Sequence, residues 1–377
     1  MHVVHIIYYL DIGGGEVFLR AIVRALAARG VAQHVFTVGP RGRLAAEIEA
    51  SGIQVVAFNK SSRVGLTTTM RMAAALRQLG PDLVQTHGEA GVFWGVPAAR
   101  LSGTRIVSLI YQTREEGALK TFVTRAMLRL TEQVIAGSNA AAEFTRHRFR
   151  VARDAVRTIY CGIEAASIPE RQTPVGRSAE APVLVTVGRL VAPKGHRVLI
   201  QAFAILRRHY ASARLVIVGD GPERQALERQ VSDLGVETAV TFAGTVYPTT
   251  AVLARADVFV FPSLNEPQGL ALLEAYAARV PVVASRTGGI PEMLEHEVDG
   301  LLVDPGDVCG LAAAVRRMVE DARLRTDCVA HAHDRLHDFE IGTLVEAYLD
   351  VYRGLLAGRV LPKSERQSAS LHSSNRR

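Results

Sequence analysis

Residues 3–29, VVHIIYYLDIGGGEVFLRAIVRALAAR, carry three signals in succession: an apolar run, a glycine turn and an amphipathic stretch. Val3–Tyr8 reads as a buried strand. Glu16–Arg29 reads as a helix, with Phe18, Ile22 and Leu26 on one face and Glu16, Arg20 and Arg24 on another. The unit then repeats. Strands are predicted over His34–Val38, Val55–Phe58, Leu83–Thr86, Ile106–Tyr111, Gln133–Ala136 and Val156–Tyr160. Helices are predicted between them, near 43–50, 66–78, 90–101, 116–131 and 139–148. Alternating β and α elements predict a parallel sheet with helices on both faces.

A second series starts after residues 166–182, a proline-bearing stretch without an apolar run that reads as a linker. Its strands are predicted over Val183–Val187, Arg214–Val218, Ala239–Ala243, Asp257–Phe261, Val282–Ala284 and Gly300–Val303. Three helices follow near 308–320, 322–337 and 340–356. The expected fold class is therefore α/β, with two doubly wound Rossmann-like domains facing each other across a cleft. Residues 1–165 would form the first and 183–339 the second, and ligands would bind beyond the carboxyl ends of the strands. Residues 359–377 are rich in Ser and Arg and read as a disordered basic tail.

Composition narrows the class further. With 48% hydrophobic and 21% charged residues in 377, this is an ordinary globular chain and not a disordered or fibrous one. No apolar run reaches the ~18 residues of a membrane span, and MHVVHIIYYL lacks the marks of a signal peptide. Cys161, Cys309 and Cys328 form neither a disulfide framework nor a metal-ligand pattern, which suits a cytoplasmic location. Charge is uneven. Residues 1–180 hold 22 basic and 14 acidic side chains, whereas 181–358 hold 17 and 22. A basic first half suits an anionic partner such as a membrane surface. The segment Leu119–Leu130 sets Phe122, Val123, Met127 and Leu130 among Lys120, Arg125 and Arg129, a pattern that fits either packing on the sheet or an interfacial helix.

Four motifs fall at predicted strand ends. Gly13-Gly14-Gly15-Glu16 lets backbone N–H groups approach a phosphate at a helix N-terminus. It is not the GxGxxG fingerprint, and no acidic residue ends the second strand, which counts against a nicotinamide cofactor. Val187-Gly188-Arg189-Leu190 with Lys194-Gly195 puts two cations at a strand-to-helix corner, suited to clamping a pyrophosphate. Val218-Gly219-Asp220-Gly221-Pro222 is a tight turn. The fourth motif, PSLNEPQGLALLEA over 262–275, sets Glu266 in a loop and Glu274 eight residues later. With Pro267 in the first helical turn, the carboxylates would lie ~10–12 Å apart along the axis and grip two parts of one extended ligand. The free N–H groups near Gly269 and Leu270 would receive phosphate oxygens between them.

Together these motifs resemble the retaining glycosyltransferases of family 4, also called group 1, which have the GT-B architecture. The resemblance spans most of 1–357 and is densest in VTVGRLVAPKG, LVIVGDGPER, ADVFVFPSLNEPQGLALLEA, PVVASRTGGIPE and VDGLLVDPGD. It implies that Glu266 contacts the donor sugar, Glu274 grips the ribose, and Arg189 and Lys194 hold the pyrophosphate with backbone at Gly269 and Leu270. It also implies that Gly14 and Gly15 face the diphosphate and that the helix near 340–357 crosses back to complete the first domain. Retention would follow the family's same-face substitution.

One position departs from the family. A histidine common after the fifth strand, near the sugar, is Tyr111 here, and His87 at the end of the fourth strand is a second candidate contributor. No Asp-x-Asp triplet occurs, so no metal and no cofactor are expected, and cations and helix dipoles would neutralise the leaving group. The expected function is hexosyl transfer from a nucleotide-diphosphate sugar to a hydroxyl of a lipid-linked or cell-surface saccharide. That work would take place in the cytoplasm, with peripheral contact to an anionic membrane and no nucleic acid. Two rivals keep the fold: a nucleotide-sugar epimerase or phosphorylase, and a catalytically inactive GT-B binding subunit. A phosphorylase needs a pyridoxal-binding lysine, and Lys194 is the only lysine between 121 and 362.

Overall fold

The computed structural model describes residues 1–60, 66–111, 117–168 and 180–358. The tail 359–377 and most of the predicted linker lie outside them.

The first half forms seven strands: β1 (His2–Ile7), β2 (Ala32–Thr37), β3 (Gln54–Ala57), β4 (Leu83–His87), β5 (Arg105–Ile110), β6 (Gln133–Ala136) and β7 (Val156–Thr158). They make one sheet in the order β3-β2-β1-β4-β5-β6-β7, and every pairing is parallel. The second half forms β8 (Val183–Val187), β9 (Arg214–Val218), β10 (Val240–Gly244), β11 (Val258–Phe261), β12 (Val282–Ser285) and β13 (Leu301–Val303). These make a six-stranded parallel sheet in the order β10-β9-β8-β11-β12-β13. In both sheets the order reverses beside the first strand, and that crevice is where a doubly wound fold offers a ligand site.

Most strand residues on both sides are apolar because both faces are covered; the buried polar exceptions include His5 on β1, Gln33 on β2 and Gln85–His87 on β4. The helix Gly14–Ala27 packs Phe18, Leu19, Ile22 and Leu26 on one face of the first sheet. The final helix, Ile341–Leu356, returns to that face: Tyr348 lies 6.0 Å from Phe18, centroid to centroid, and the Tyr352 hydroxyl donates to Gln85 Oε1. Met72, Trp94 and Phe36 fill the opposite face. In the second half, Phe203, Val315 and Met318 cover one face, and Leu272, Tyr276 and Met293 the other.

One expectation needs correction. The helix of the fourth motif runs from Leu270 to Ala277, so Pro267 is not in its first turn. Gly269 takes φ 108°, a left-handed conformation no helix can contain, so the helix begins after it. Glu266 and Glu274 are therefore not spaced along one axis. The segment 118–128 is a helix, but among its apolar side chains only Leu128 is buried, while Leu119 and Phe122 are 78% and 68% exposed.

Candidate active site

The site lies where the turns after β1, β8 and β11 meet. After β8 the chain passes through Gly188, Arg189 and a short turn to Lys194 and Gly195. Gly195 has φ 68°, and a Cβ there would stand 1.9 Å from the Pro262 carbonyl oxygen. Only glycine lets these two loops touch. That contact places Lys194 over the fourth motif: its Nζ lies 2.5 Å from Glu266 Oε2 and 5.6 Å from the centre of the Phe261 ring. Ser263 Oγ donates to the same carboxylate oxygen at 3.0 Å. Glu266 is only 5% exposed, so its charge is held by a cation and a hydroxyl rather than by bulk water.

Behind this pair the helix Leu270–Ala277 starts with unpaired N–H groups at the carboxyl end of β11. Glu274 lies in its second turn and accepts from Thr249 Oγ1 at 2.8 Å. Burial pushes the Glu274 carboxyl above its ordinary value, against the pull of the Thr249 hydroxyl and the Arg20 guanidinium. Arg20 comes from the first half. It pairs with Glu47 at 2.7 Å and Glu164 at 2.8 Å and stacks on Tyr247 at 5.6 Å, which ties the first helix to the loop that carries Thr249.

The first half meets the site through its glycine turn. A Cβ on Gly14 would stand 3.6 Å from Leu270 Cδ1, and one on Gly15 3.3 Å from the Tyr111 ring. Glu16 follows; burial raises its carboxyl pKa, while the charge of Arg189 in the other half pulls it down. Arg189 itself is exposed at the corner after β8. Thus Gly14, Gly15, Glu16, Arg189, Lys194, Glu266, Gly269 and Leu270 converge at one junction between the halves, with Glu274 one turn farther along the helix.

His87 is not part of that surface. It is buried at the end of β4, and its Nδ1 lies 3.2 Å from the Tyr111 hydroxyl, so Tyr111 stands between it and the junction. Several contributors were not assigned from sequence. Ser263 and Gln268 stand within the quoted motif, but nothing local shows that Ser263 orients Glu266. Nor does sequence show that the Gln268 amide bonds both the backbone N–H and the carbonyl of Cys161, at 2.8 and 2.6 Å. Glu292 accepts from the backbone N–H of Asn139 and Ala140, both at 2.8 Å, and from the Tyr160 hydroxyl at 2.9 Å. The partners of Gln268 and Glu292 lie more than 100 residues away, a separation periodicity does not encode. Among the described residues no three His, Cys, Asp or Glu side chains gather as a metal site would require.

Residues 12–167 match the family described as Glycosyltransferase Family 4, and residues 181–321 match Glycosyl transferases group 1. The chain is 31% identical to the lipopolysaccharide core biosynthesis glycosyltransferase LpsE of Rhizobium meliloti, over 95% of this chain and 100% of that one. It is also 31% identical to a GDP-mannose-dependent alpha-(1-6)-phosphatidylinositol monomannoside mannosyltransferase of Mycobacterium tuberculosis, over 82% and 86%. Among solved structures, HepE of Anabaena in complex with UDP and glucose superposes with a TM-score of 0.84 at 22% identity, covering 94% of this chain and all of that one.

Proposed function

The chain belongs to the group 1, family 4 glycosyltransferases of GT-B fold, and from that premise we propose that it moves a sugar from a nucleotide-diphosphate donor to an acceptor hydroxyl with retention at the anomeric carbon. The observation that carries this reading is the Lys194–Glu266 pair beside the Gly14–Leu270 contact. It sets a cation, a carboxylate, a helix N-terminus and a glycine turn around one volume. In this reading Arg189 and Lys194, with the N–H groups of Gly269 and Leu270, face the diphosphate. Gly14 and Gly15 close over it, Glu266 contacts the sugar and Glu274 holds the ribose.

The chemistry follows from where charge appears. As the anomeric carbon leaves the phosphate oxygen, the diphosphate gains negative charge, and fixed cations and dipoles stabilise that state more than the ground state. The acceptor oxygen bonds to the same face as the leaving oxygen departs, and its proton passes to the departing diphosphate. No metal or cofactor takes part in this account.

The relatives named for lipopolysaccharide core and phosphatidylinositol mannoside synthesis support a saccharide or lipid-linked acceptor at a membrane. Among the described residues no helix is long and apolar enough to cross one. Contact would instead be peripheral, at an anionic inner leaflet, through the face bearing exposed Leu119, Phe122 and Arg129. Co-sedimentation with anionic vesicles should be strong at low salt and fall steeply as salt rises; binding to neutral vesicles as strong as to anionic ones would contradict it.

The reading as a whole is tested by incubating the full chain with a panel of UDP-, GDP- and ADP-sugars in EDTA. Release of nucleoside diphosphate from at least one donor is expected. Activity that appears only when Mg²⁺ or Mn²⁺ is restored would count against the metal-free mechanism.

A further inference from the structure

Four polar side chains cross the first sheet on the diagonal. The parallel register sets His5 opposite Val35 on β2 and Gln85 on β4, so Gln33 and His87, each two residues away, share its face. All three are at least nine-tenths buried. Gln33 Nε2 donates to the Val23 carbonyl at 2.8 Å; Gln33 Oε1 lies 3.0 Å from His5 Nε2; His5 Nδ1 lies 3.0 Å from His87 Nε2; and His87 Nδ1 lies 3.2 Å from the Tyr111 hydroxyl.

The chain has one polarity. A backbone carbonyl can only accept, so the Gln33 amide must present its oxygen to His5. His5 then donates from Nε2 and, as a neutral imidazole, accepts at Nδ1. His87 in turn donates from Nε2 and accepts at Nδ1. The Tyr111 proton is left pointing inward. Burial supports the neutral state of both rings, holding His5 down at about 4 and His87 well below its ordinary value. The Tyr111 oxygen therefore keeps only lone pairs for anything on its outer side. Its ring rests against Gly15, in the turn that faces Leu270, and against Gly88.

We propose that Gln33, His5 and His87 act as positioning residues that fix the Tyr111 hydroxyl as a hydrogen-bond acceptor for a hydroxyl of the donor sugar. This rests on the donor reading above and adds a reason for the buried histidine pair, which the glycosyl-transfer machinery does not otherwise use. A sugar with a hydroxyl at that point would be preferred over one bearing an acceptor only, because an acceptor there would face lone pairs with no proton between them.

Two measurements test it on the full chain. Imidazole ¹⁵N spectra at neutral pH, assigned through His5→Asn and His87→Asn, should show both rings neutral and protonated at Nε2. A charged ring, or protonation at Nδ1, would overturn the proposed polarity. The second measurement is calorimetric binding of UDP, UDP-glucose, GDP and GDP-mannose. For whichever pair binds, Tyr111→Phe should weaken the nucleotide sugar at least tenfold and leave the free diphosphate within twofold. His87→Leu, which frees the Tyr111 proton to turn outward, should weaken the nucleotide sugar by less than Tyr111→Phe, because a sugar hydroxyl can also accept from that proton, and His87→Asn, whose carbonyl oxygen takes the place of Nδ1, should recover part of the loss. Equal effects on sugar and diphosphate, or no difference between Leu and Asn at 87, would overturn the proposal. Diphosphate binding without any nucleotide-sugar binding would overturn it while leaving the nucleotide site intact. Binding of neither would overturn the donor reading itself.

Discussion

Lys194 Nζ lies 2.5 Å from Glu266 Oε2 across a separation of 72 residues, and this pair joins the two densest motifs of the sequence into one site. Because Lys194 is a quarter exposed, part of its attraction is lost to solvent and the pair is not a large source of stability. In the proposed reading it holds a carboxylate where the donor sugar would lie. Glu266→Gln keeps the size and a hydrogen-bonding oxygen but removes the charge. It should lower kcat at least a hundredfold, shift the melting temperature by only a few degrees and leave diphosphate affinity unreduced. A variant within tenfold of the parent would remove Glu266 from the reaction.

In the proposed reaction Arg189 and Lys194 face charge that grows as the donor bond breaks. Their combined replacement by alanine should therefore reduce kcat more than it raises KM. Loss of affinity with kcat preserved would mean that both merely bind the ground state. Because Lys194 also anchors Glu266, its single variant should combine with Glu266→Gln non-additively, as coupled neighbours do.

The raised pKa of Glu274 gives a pH signature. In the proposed binding mode the carboxylate accepts from ribose hydroxyls, and protonation would remove an acceptor. Diphosphate affinity should therefore fall as pH drops through a midpoint above the ordinary 4.5. Stability of the free enzyme runs the other way. A folded-state pKa above the unfolded one favours the fold below 4.5, and that contribution is lost as pH rises through the raised value. Glu274→Gln should flatten both curves and weaken binding about tenfold, in line with the roughly 1.5–3 kcal/mol of a charge-assisted hydrogen bond. Parallel pH profiles for parent and variant would sink the assignment.

Glu292 spans the two halves, receiving the first N–H groups of the helix Asn139–Phe149. Its carboxylate satisfies donors that have no partner inside that helix and complements the helix dipole. Glu292→Ala should cost about 1 kcal/mol of local closure, read as several-fold faster amide exchange at Asn139 and Ala140 with β1 and β4 unaffected. Unchanged exchange at those amides would show that the halves are held by other contacts, such as Ser138 Oγ donating to the Pro267 carbonyl at 2.5 Å.

Much of this was legible in the sequence because the signals were local. Phe18, Ile22 and Leu26 predict their helix from spacing alone, and strand ends fell within a residue or two since both sheets are buried on both faces. Gly195 next to Lys194 marked a tight corner, though not that the corner touches Pro262. The start of the helix at Leu270 was misplaced because Pro267 favours a first turn, while the left-handed Gly269 that forbids it depends on packing against Phe261. His5 and Gln33 gave no signal at all. Each looks like an ordinary strand residue until β1, β2 and β4 are aligned in register. Phe122 was ambiguous for the same reason, since helical periodicity does not tell a sheet from a membrane as the partner of an apolar face.

The reaction proposed for this chain is sugar transfer with retention from a nucleotide-sugar donor. The most direct test is proton NMR of the anomeric centre in the first product formed from an α-linked donor found active in the panel, with EDTA present. An α-linked product is expected at the earliest time points; a β-linked product would mean inversion and rule out the retaining reaction.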